Sequence, residues 1–276
     1  MGWLQKLISS GRYLLFVKLC RFELLEEPEQ IRSGIYFDGK IYETDGINPI
    51  GVHELDRIRL FPPLGHPPVL RMFDTAVAPD GTQIPYYSYA NPMVLTGPNS
   101  EITLPAQETD WDFEVRICGI VGDRGEQIDN VEAPSFIIGY SLMLVLKSTT
   151  SRMEAIVGHS HAGTKDYGIA IGPFLVTPDD LGEVTIEGES SRFRWAYEIY
   201  VNDEVIARGV NESTLSFADL LTLSSTNSPV YPGEIIAFPP LEKQPIDLTS
   251  HGRGLLPTDK VAVRTDALGI LVARFA

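Results

Sequence analysis

Short alternation of apolar and polar positions runs along most of the chain and predicts strands joined by tight turns. In "SGIYFDGKIYET" two alternating runs flank Asp38-Gly39, a pair suited to the positive backbone angles of a two-residue hairpin turn. "RWAYEIYVNDEVIARGV" repeats the design around Asn202-Asp203, and the C-terminal "KVAVRTDALGILVARFA" does so with Asp266 to Gly269 in the turn. Helical spacing is confined to residues 136–148 and to "STLSFADLLTLSS", where Ser213 or Thr214 is placed to cap the start. Pro and Gly gather at 61–68 and 79–99, which predicts a boundary there. The pattern is that of a β-rich α+β protein with few helices.

Composition narrows the function classes. The 276 residues carry 22 Lys and Arg against 37 Asp and Glu, a net charge of −15, and the basic residues are scattered. That excludes a phosphate-binding surface, so no nucleic-acid partner is expected. The two cysteines, Cys20 and Cys118, form no CxxC and are expected reduced and buried. Lys6, Arg12 and Lys18 interrupt the apolar N-terminal segment, which lacks a cleavage-site pattern. No uncharged run reaches the roughly 20 residues that span a bilayer. A cytoplasmic protein without a membrane partner is the expectation.

Seven segments occur in an informative order: "LTGPNSEITLP", "DWDFEVRICGIVG", "FIIGYSLMLV", "IAIGPFLVTPDDLG", "YVNDEVIARG", "YPGEIIAFPP" and "LLPTDKVAVRTDALGIL". This succession resembles the fumarylacetoacetate hydrolase superfamily over about the last two-thirds of the chain. "VKLCRFELLEEPEQIRSGIYFDGKIYETDG" is similar to the family's small N-terminal β domain. The resemblance implies a rolled mixed β-sheet core, a homodimer, and a small-molecule substrate of the 2-oxo acid or β-dicarbonyl type. It divides the chain into a small N-terminal β subdomain (1–65), a linker or lid-like segment (66–90) and a C-terminal domain (91–276).

The same resemblance implies a site that this chain has altered. Relatives hold Mg²⁺ or Mn²⁺ with a Glu-x-Glu pair and an Asp. The pair falls on Asp112 and Glu114, which share one face of a strand. The Asp falls on Val145, inside the aliphatic run Leu142 to Leu146, and valine cannot ligate a cation. No resident metal or other cofactor is therefore expected, unless Mg or Mn is held by other ligands such as His159 or His161. Without a shared cation the two carboxylates are expected to repel, and one of them to keep a proton. The family's lid histidine has no counterpart in "VLRMFDTAVAPDGTQIP", where Asp74 and Asp80 are the acids. The family lysine falls on Gly163, its glutamine on Ala207, and its small polar Thr-Gly-Thr-Pro on "AFPP" with Phe238.

Asp112, Glu114 and Lys165 remain as candidate catalytic groups, and Arg152, Tyr140 and Asp166 as candidate substrate-binding groups. An arginine can hold a substrate carboxylate with two parallel hydrogen bonds. His251 reads as a loop residue. No Ser-His-Asp order, P-loop or dinucleotide fingerprint is present. Two functions stay open. One is a divergent enzyme performing isomerisation, cyclisation or C–C cleavage of a carbonyl compound (a hydrolase, lyase or isomerase) by acid/base chemistry. The other is a catalytically inactive pseudoenzyme serving as a dimeric binding or scaffold protein, its pocket plugged by Phe238, Leu144 and Met143.

Overall fold

Alternating apolar runs bury one or both faces of long strands, and that is how this chain spends most of its length. The computed structural model describes residues 17–46, 48–106, 111–148, 166–188, 191–212, 215–242 and 254–276. The N-terminal part forms β1 (Lys18–Leu24), β2 (Glu27–Phe37), β3 (Lys40–Thr44), β4 (Pro49–Glu54) and β5 (Ile58–Phe61). Then come β6 (Leu70–Val77), β7 (Gln83–Tyr89) and two short strands, β8 (Leu95–Thr96) and β9 (Glu101–Ile102). The centre is β10 (Trp111–Val121), β11 (Ile137–Ser148) and β12 (Ile169–Val176). Last are β13 (Arg194–Val201), β14 (Glu204–Glu212), the α-helix α1 (Phe217–Ser225), β15 (Ile235–Ala237), β16 (Lys260–Thr265) and β17 (Gly269–Phe275).

One 12-stranded mixed sheet runs β4-β3-β2-β1-β12-β11-β10-β15-β6-β7, with β5 added at β1 and β8 at β12. A second, 5-stranded sheet has the order β14-β13-β16-β17-β9. Residues 17–61 are thus joined to the C-terminal part by the β1–β12 pairing. The span 66–90 carries the β6–β7 hairpin, tied to the large sheet through β15.

The three hairpin turns lie where the alternation placed them, with Asp38, Asn202 and Asp203 at positive φ. The helical reading of 136–148 is corrected: this run is β11, paired with β10 on one side and β12 on the other. A strand flanked on both sides and covered on both faces is apolar throughout, so its sequence mimics a buried helix. The cap of α1 is also corrected, to Ser216. Its Oγ accepts from the Asp219 N–H at 3.1 Å, and Asp219 Oδ2 accepts from the Ser216 N–H at 2.7 Å.

Strict alternation on β10 and β11 sorts two cores. Phe113, Val115, Ile117, Tyr140, Leu142, Leu144 and Leu146 face the main core, shared with α1 and the second sheet. Cys118, Ile120, Met143 and Val145 face a smaller core with Met72, Ile169 and Ala237. Both cysteines are buried and free, and burial pushes the Cys20 thiol up to about 12. Among the described residues no helix is long and apolar enough to cross a membrane.

Candidate functional site

The strand β10 presents Asp112, Glu114 and Arg116 at successive even positions, on the face of the smaller core. Antiparallel pairing sets Asp112 opposite Lys147 and Glu114 opposite Val145. Directly opposed residues point to one face. Lys147 Nζ therefore lies 3.3 Å from Asp112 Oδ2 and 3.7 Å from Glu114 Oε1. Val145, fully buried, walls the same side.

Arg116 completes the cluster from within. Its Nη2 donates to Glu114 Oε2 at 2.6 Å and to Asp74 Oδ1, on β6, at 2.7 Å. Its Nη1 donates to the backbone carbonyl oxygens of Phe73 and Phe238, the latter at 3.1 Å. Burial alone would lower the affinity of this guanidinium for its proton, but the Glu114 and Asp74 carboxylates outweigh it and hold the group charged.

A fourth carboxyl group arrives from the segment after β15. That segment follows β10, with Phe238 N–H donating to Ile117 O and Leu241 N–H to Val115 O, both at 2.8 Å. The Asn211 amide donates to Leu241 O at 2.8 Å and pins the segment from β14. Glu242 is thereby brought within the field of both Glu114 and Lys147, and burial foremost pushes its carboxyl up to about 7. Asp112 is also raised, by burial, with Lys147 pulling the other way. Two carboxylate oxygens, Asp112 Oδ1 and Glu242 Oε1, are buried and accept no hydrogen bond from the described residues.

The Glu242 shift has a signed consequence. Its folded-state carboxyl near 7, against an ordinary 4.5, keeps a proton that the unfolded chain releases. Its contribution therefore favours the fold at low pH and is lost as pH rises from about 4.5 through 7, roughly 3 kcal/mol at most. Glu242→Gln is expected to be more stable than the parent at pH 8, while the two match at pH 4.5. Urea unfolding at both pH values measures the difference; an equal gap at the two would contradict the shift.

The expected site residues separate. Asp112 and Glu114 come together as anticipated. The repulsion expected between them persists, since Glu114 still helps to raise Asp112 behind the larger effect of burial, while Lys147 and Arg116 supply countercharge that partly offsets it. Tyr140, expected at the substrate, is on the opposite face, buried against Phe193 and Phe217 with ring centroids at 4.8 Å from each. Its position is odd-for-even with Val145 on β11, so alternation turns it into the main core. Asp166 is exposed just before β12. Lys165, Arg152, His159, His161 and His251 lie outside the described residues. Leu144 and Phe238 face the main core and do not plug the acidic site; Met143 is on its face, beside Arg116.

Three members of this cluster are not among the residues that the sequence singles out. Lys147 was hidden by the helical reading of its strand, since only a period of two puts it level with Val145 and Met143. Arg116 continues the Asp112-x-Glu114 series, a legible signal. Glu242 stands in an irregular segment placed by long-range backbone bonds, and nothing local marks it.

With this arrangement in hand, similarity to known proteins becomes informative. The family profile described as "Fumarylacetoacetate (FAA) hydrolase C-terminal" matches residues 69–276. The chain belongs to this family. It is 28% identical over 144 residues to a 2,4-didehydro-3-deoxy-L-rhamnonate hydrolase of Sphingomonas, covering 51% of this chain and 47% of that protein. It is 25% identical over 186 residues to the human mitochondrial oxaloacetate tautomerase FAHD2A, covering 64% of this chain and 54% of that protein. The chain thus spans about half the length of these relatives.

Solved structures agree on the fold. A 5-carboxymethyl-2-hydroxymuconate delta-isomerase from Mycobacterium smegmatis matches with TM-score 0.73 at 18% identity, covering 94% of this chain and 99% of that one. A maleylpyruvate hydrolase from Sphingobium, solved with manganese(II) and pyruvate, matches with TM-score 0.70 at 15% identity over 94% and 98% of the two chains. The fumarylacetoacetate hydrolase family thus includes hydrolases, tautomerases and isomerases of carbonyl compounds.

The divalent cation that the family implies does not fit the donors described here. Hard cations need several oxygen ligands. Glu114 Oε2 is committed to Arg116, Asp112 Oδ2 faces the Lys147 ammonium, and Val145 offers only methyl groups, which leaves Asp112 Oδ1 and Glu242 Oε1 beside a buried like charge.

Proposed function

We propose that this fumarylacetoacetate hydrolase family member is an enzyme that moves a proton on a carbonyl compound of the 2-oxo acid or β-dicarbonyl class, as a homodimer and without a divalent metal. The observation that carries this reading is the buried Lys147 ammonium 3.3 Å from Asp112 and 3.7 Å from Glu114, next to two carboxylate oxygens, Asp112 Oδ1 and Glu242 Oε1, that have no donor among the described residues. A buried oxygen left without a donor costs about 1–3 kcal/mol. Bare acceptors beside a buried ammonium suit a ligand that brings its own acidic C–H or hydroxyl.

In this reading Asp112 takes the proton from the carbon next to the carbonyl. The C–H electrons form the new C=C bond while the carbonyl π electrons move to oxygen, and the Lys147 N–H group donates a hydrogen bond to that oxygen as negative charge develops. Glu242 holds or returns a proton within the same cluster. Return of a proton to oxygen gives the enol; return to another carbon gives an isomer. Val145 and Met143 keep water from the apolar side.

The test is exchange of the C–H next to the carbonyl. Wild-type protein in ²H₂O with excess EDTA is expected to catalyse deuterium uptake into at least one of oxaloacetate, pyruvate and acylpyruvates, read by ¹H NMR. Asp112→Asn is expected to reduce the rate by about 100-fold or more, the scale of a lost general base. Uncatalysed rates across these compounds, from protein shown folded by circular dichroism, would favour the scaffold reading instead.

A further inference from the structure

The acidic cluster contains a cation of its own. Lys147 reaches Asp112 Oδ2 and Glu114 Oε1, the two carboxylates that the family order assigns to metal binding, and Val145 stands level with Glu114 in the third place. The geometry points to Lys147 as a tethered replacement for the divalent ion: its ammonium neutralises the Asp112–Glu114 pair, excludes Mg²⁺ and Mn²⁺, and presents N–H donors where relatives present a metal face.

The supporting facts are independent of one another. Cross-strand register places Lys147 beside Asp112 whatever its rotamer. The side chain is 9% exposed, so its charge is held inside the protein and faces little screening. Arg116 draws the other Glu114 oxygen away with hydrogen bonds from Nε at 3.0 Å and Nη2 at 2.6 Å. A divalent ion entering beside Lys147 would meet a like charge at close range, with Glu114 Oε2 committed to Arg116, Asp112 Oδ2 turned to the ammonium and a valine in the third place, so that Asp112 Oδ1 and Glu242 Oε1 are the oxygens left to it.

The chemistry presented to a ligand differs accordingly. A metal face chelates a 2-oxo acid through two oxygens at once. An ammonium offers up to three donors with no fixed coordination geometry, and two of its directions are already turned to Asp112 and Glu114. The substrate class favoured is therefore one with a single polarised oxygen beside an acidic C–H, such as a monocarbonyl compound, over one that must be chelated. This refinement rests on the enzymatic reading above, but the replacement of the metal does not.

Mn²⁺ titration, read by loss of the six-line electron paramagnetic resonance signal of the free ion, separates the two. Wild type and Lys147→Arg, which keeps the charge, are expected to bind no stoichiometric Mn²⁺. Lys147→Ala is expected to gain weak binding. Val145→Asp combined with Lys147→Ala, which restores the third carboxylate, is expected to bind one Mn²⁺ tighter by roughly 100-fold or more, in keeping with the dependence of such sites on ligand charge. One equivalent of Mn²⁺ on the wild type would overturn the inference, and so would a folded double variant that binds none. If a variant does not fold, the Lys147→Arg and wild-type titrations still decide, since tight binding by either contradicts exclusion. Metal exclusion together with absent deuterium exchange would sink the enzymatic reading and leave this inference standing.

Discussion

Replacing Arg116 with methionine is expected to destabilise the fold by about 3–5 kcal/mol, the usual loss when one partner of a buried ion pair is removed. Arg116 is entirely buried and serves four acceptors: Glu114, Asp74 and the backbone oxygens of Phe73 and Phe238. Methionine nearly conserves the volume, so little of the loss comes from a cavity. It comes from carboxylates that lose their buried countercharge and from carbonyl groups that lose their donor. Adding Glu114→Gln and Asp74→Asn to Arg116→Met is expected to recover much of the loss, because the uncompensated charge goes with them. Urea unfolding with an unchanged m-value measures both steps. A single-variant loss below about 1 kcal/mol would show that the network is looser than its distances imply.

The second large effect lies on the opposite face of the sheet. Phe217 opens α1 and is 1% exposed, with ring centroids of Tyr140 and Phe238 at 4.8 and 5.0 Å. Gly119 on β10 permits this approach, since a Cβ there would meet Phe217 Cδ1 at 3.0 Å. Phe217→Ala is expected to cost about 3–5 kcal/mol through lost burial and an incompletely collapsed cavity. The Ser216–Asp219 capping box is untouched by the substitution, so the helix itself persists in circular dichroism while the melting temperature falls. Phe217→Leu is expected to lose clearly less. Equal losses for the two would mean that ring packing, more than volume, fixes the helix to the sheet.

The sequence made some of this legible and concealed the rest for physical reasons. Hairpins at Asp38-Gly39 and Asn202-Asp203 could be read because turn residues and alternation are local signals. The shared face of Asp112 and Glu114 followed from the period of two, and the order of motifs placed Val145 beside them. Lys147 was not legible, because a strand buried on both faces shows no alternation from which its neighbours could be assigned. Tyr140 was misplaced for the same reason: without the strand assignment its face could not be known. Glu242 depends on a chain segment held to β10 by backbone bonds between residues more than a hundred positions apart, a relation that no local pattern records.

A consistent electrostatic picture joins the two cations to the acids. Among the described residues, Asp74, Asp112, Glu114 and Glu242 gather about Arg116 and Lys147, so the carboxyl groups outnumber the cations. A proton retained on Glu242 relieves part of that excess. The same proton is then available for transfer, which links the stability of the cluster to the chemistry proposed for it.

Lys147 is proposed to stand where relatives place a metal. The most direct test is a crystal structure grown with millimolar Mn²⁺ and oxalate, with anomalous data collected for manganese. Lys147 Nζ is expected between Asp112 and Glu114, with no anomalous peak at either carboxylate. An anomalous peak coordinated by Glu114, with Lys147 swung away, would contradict it.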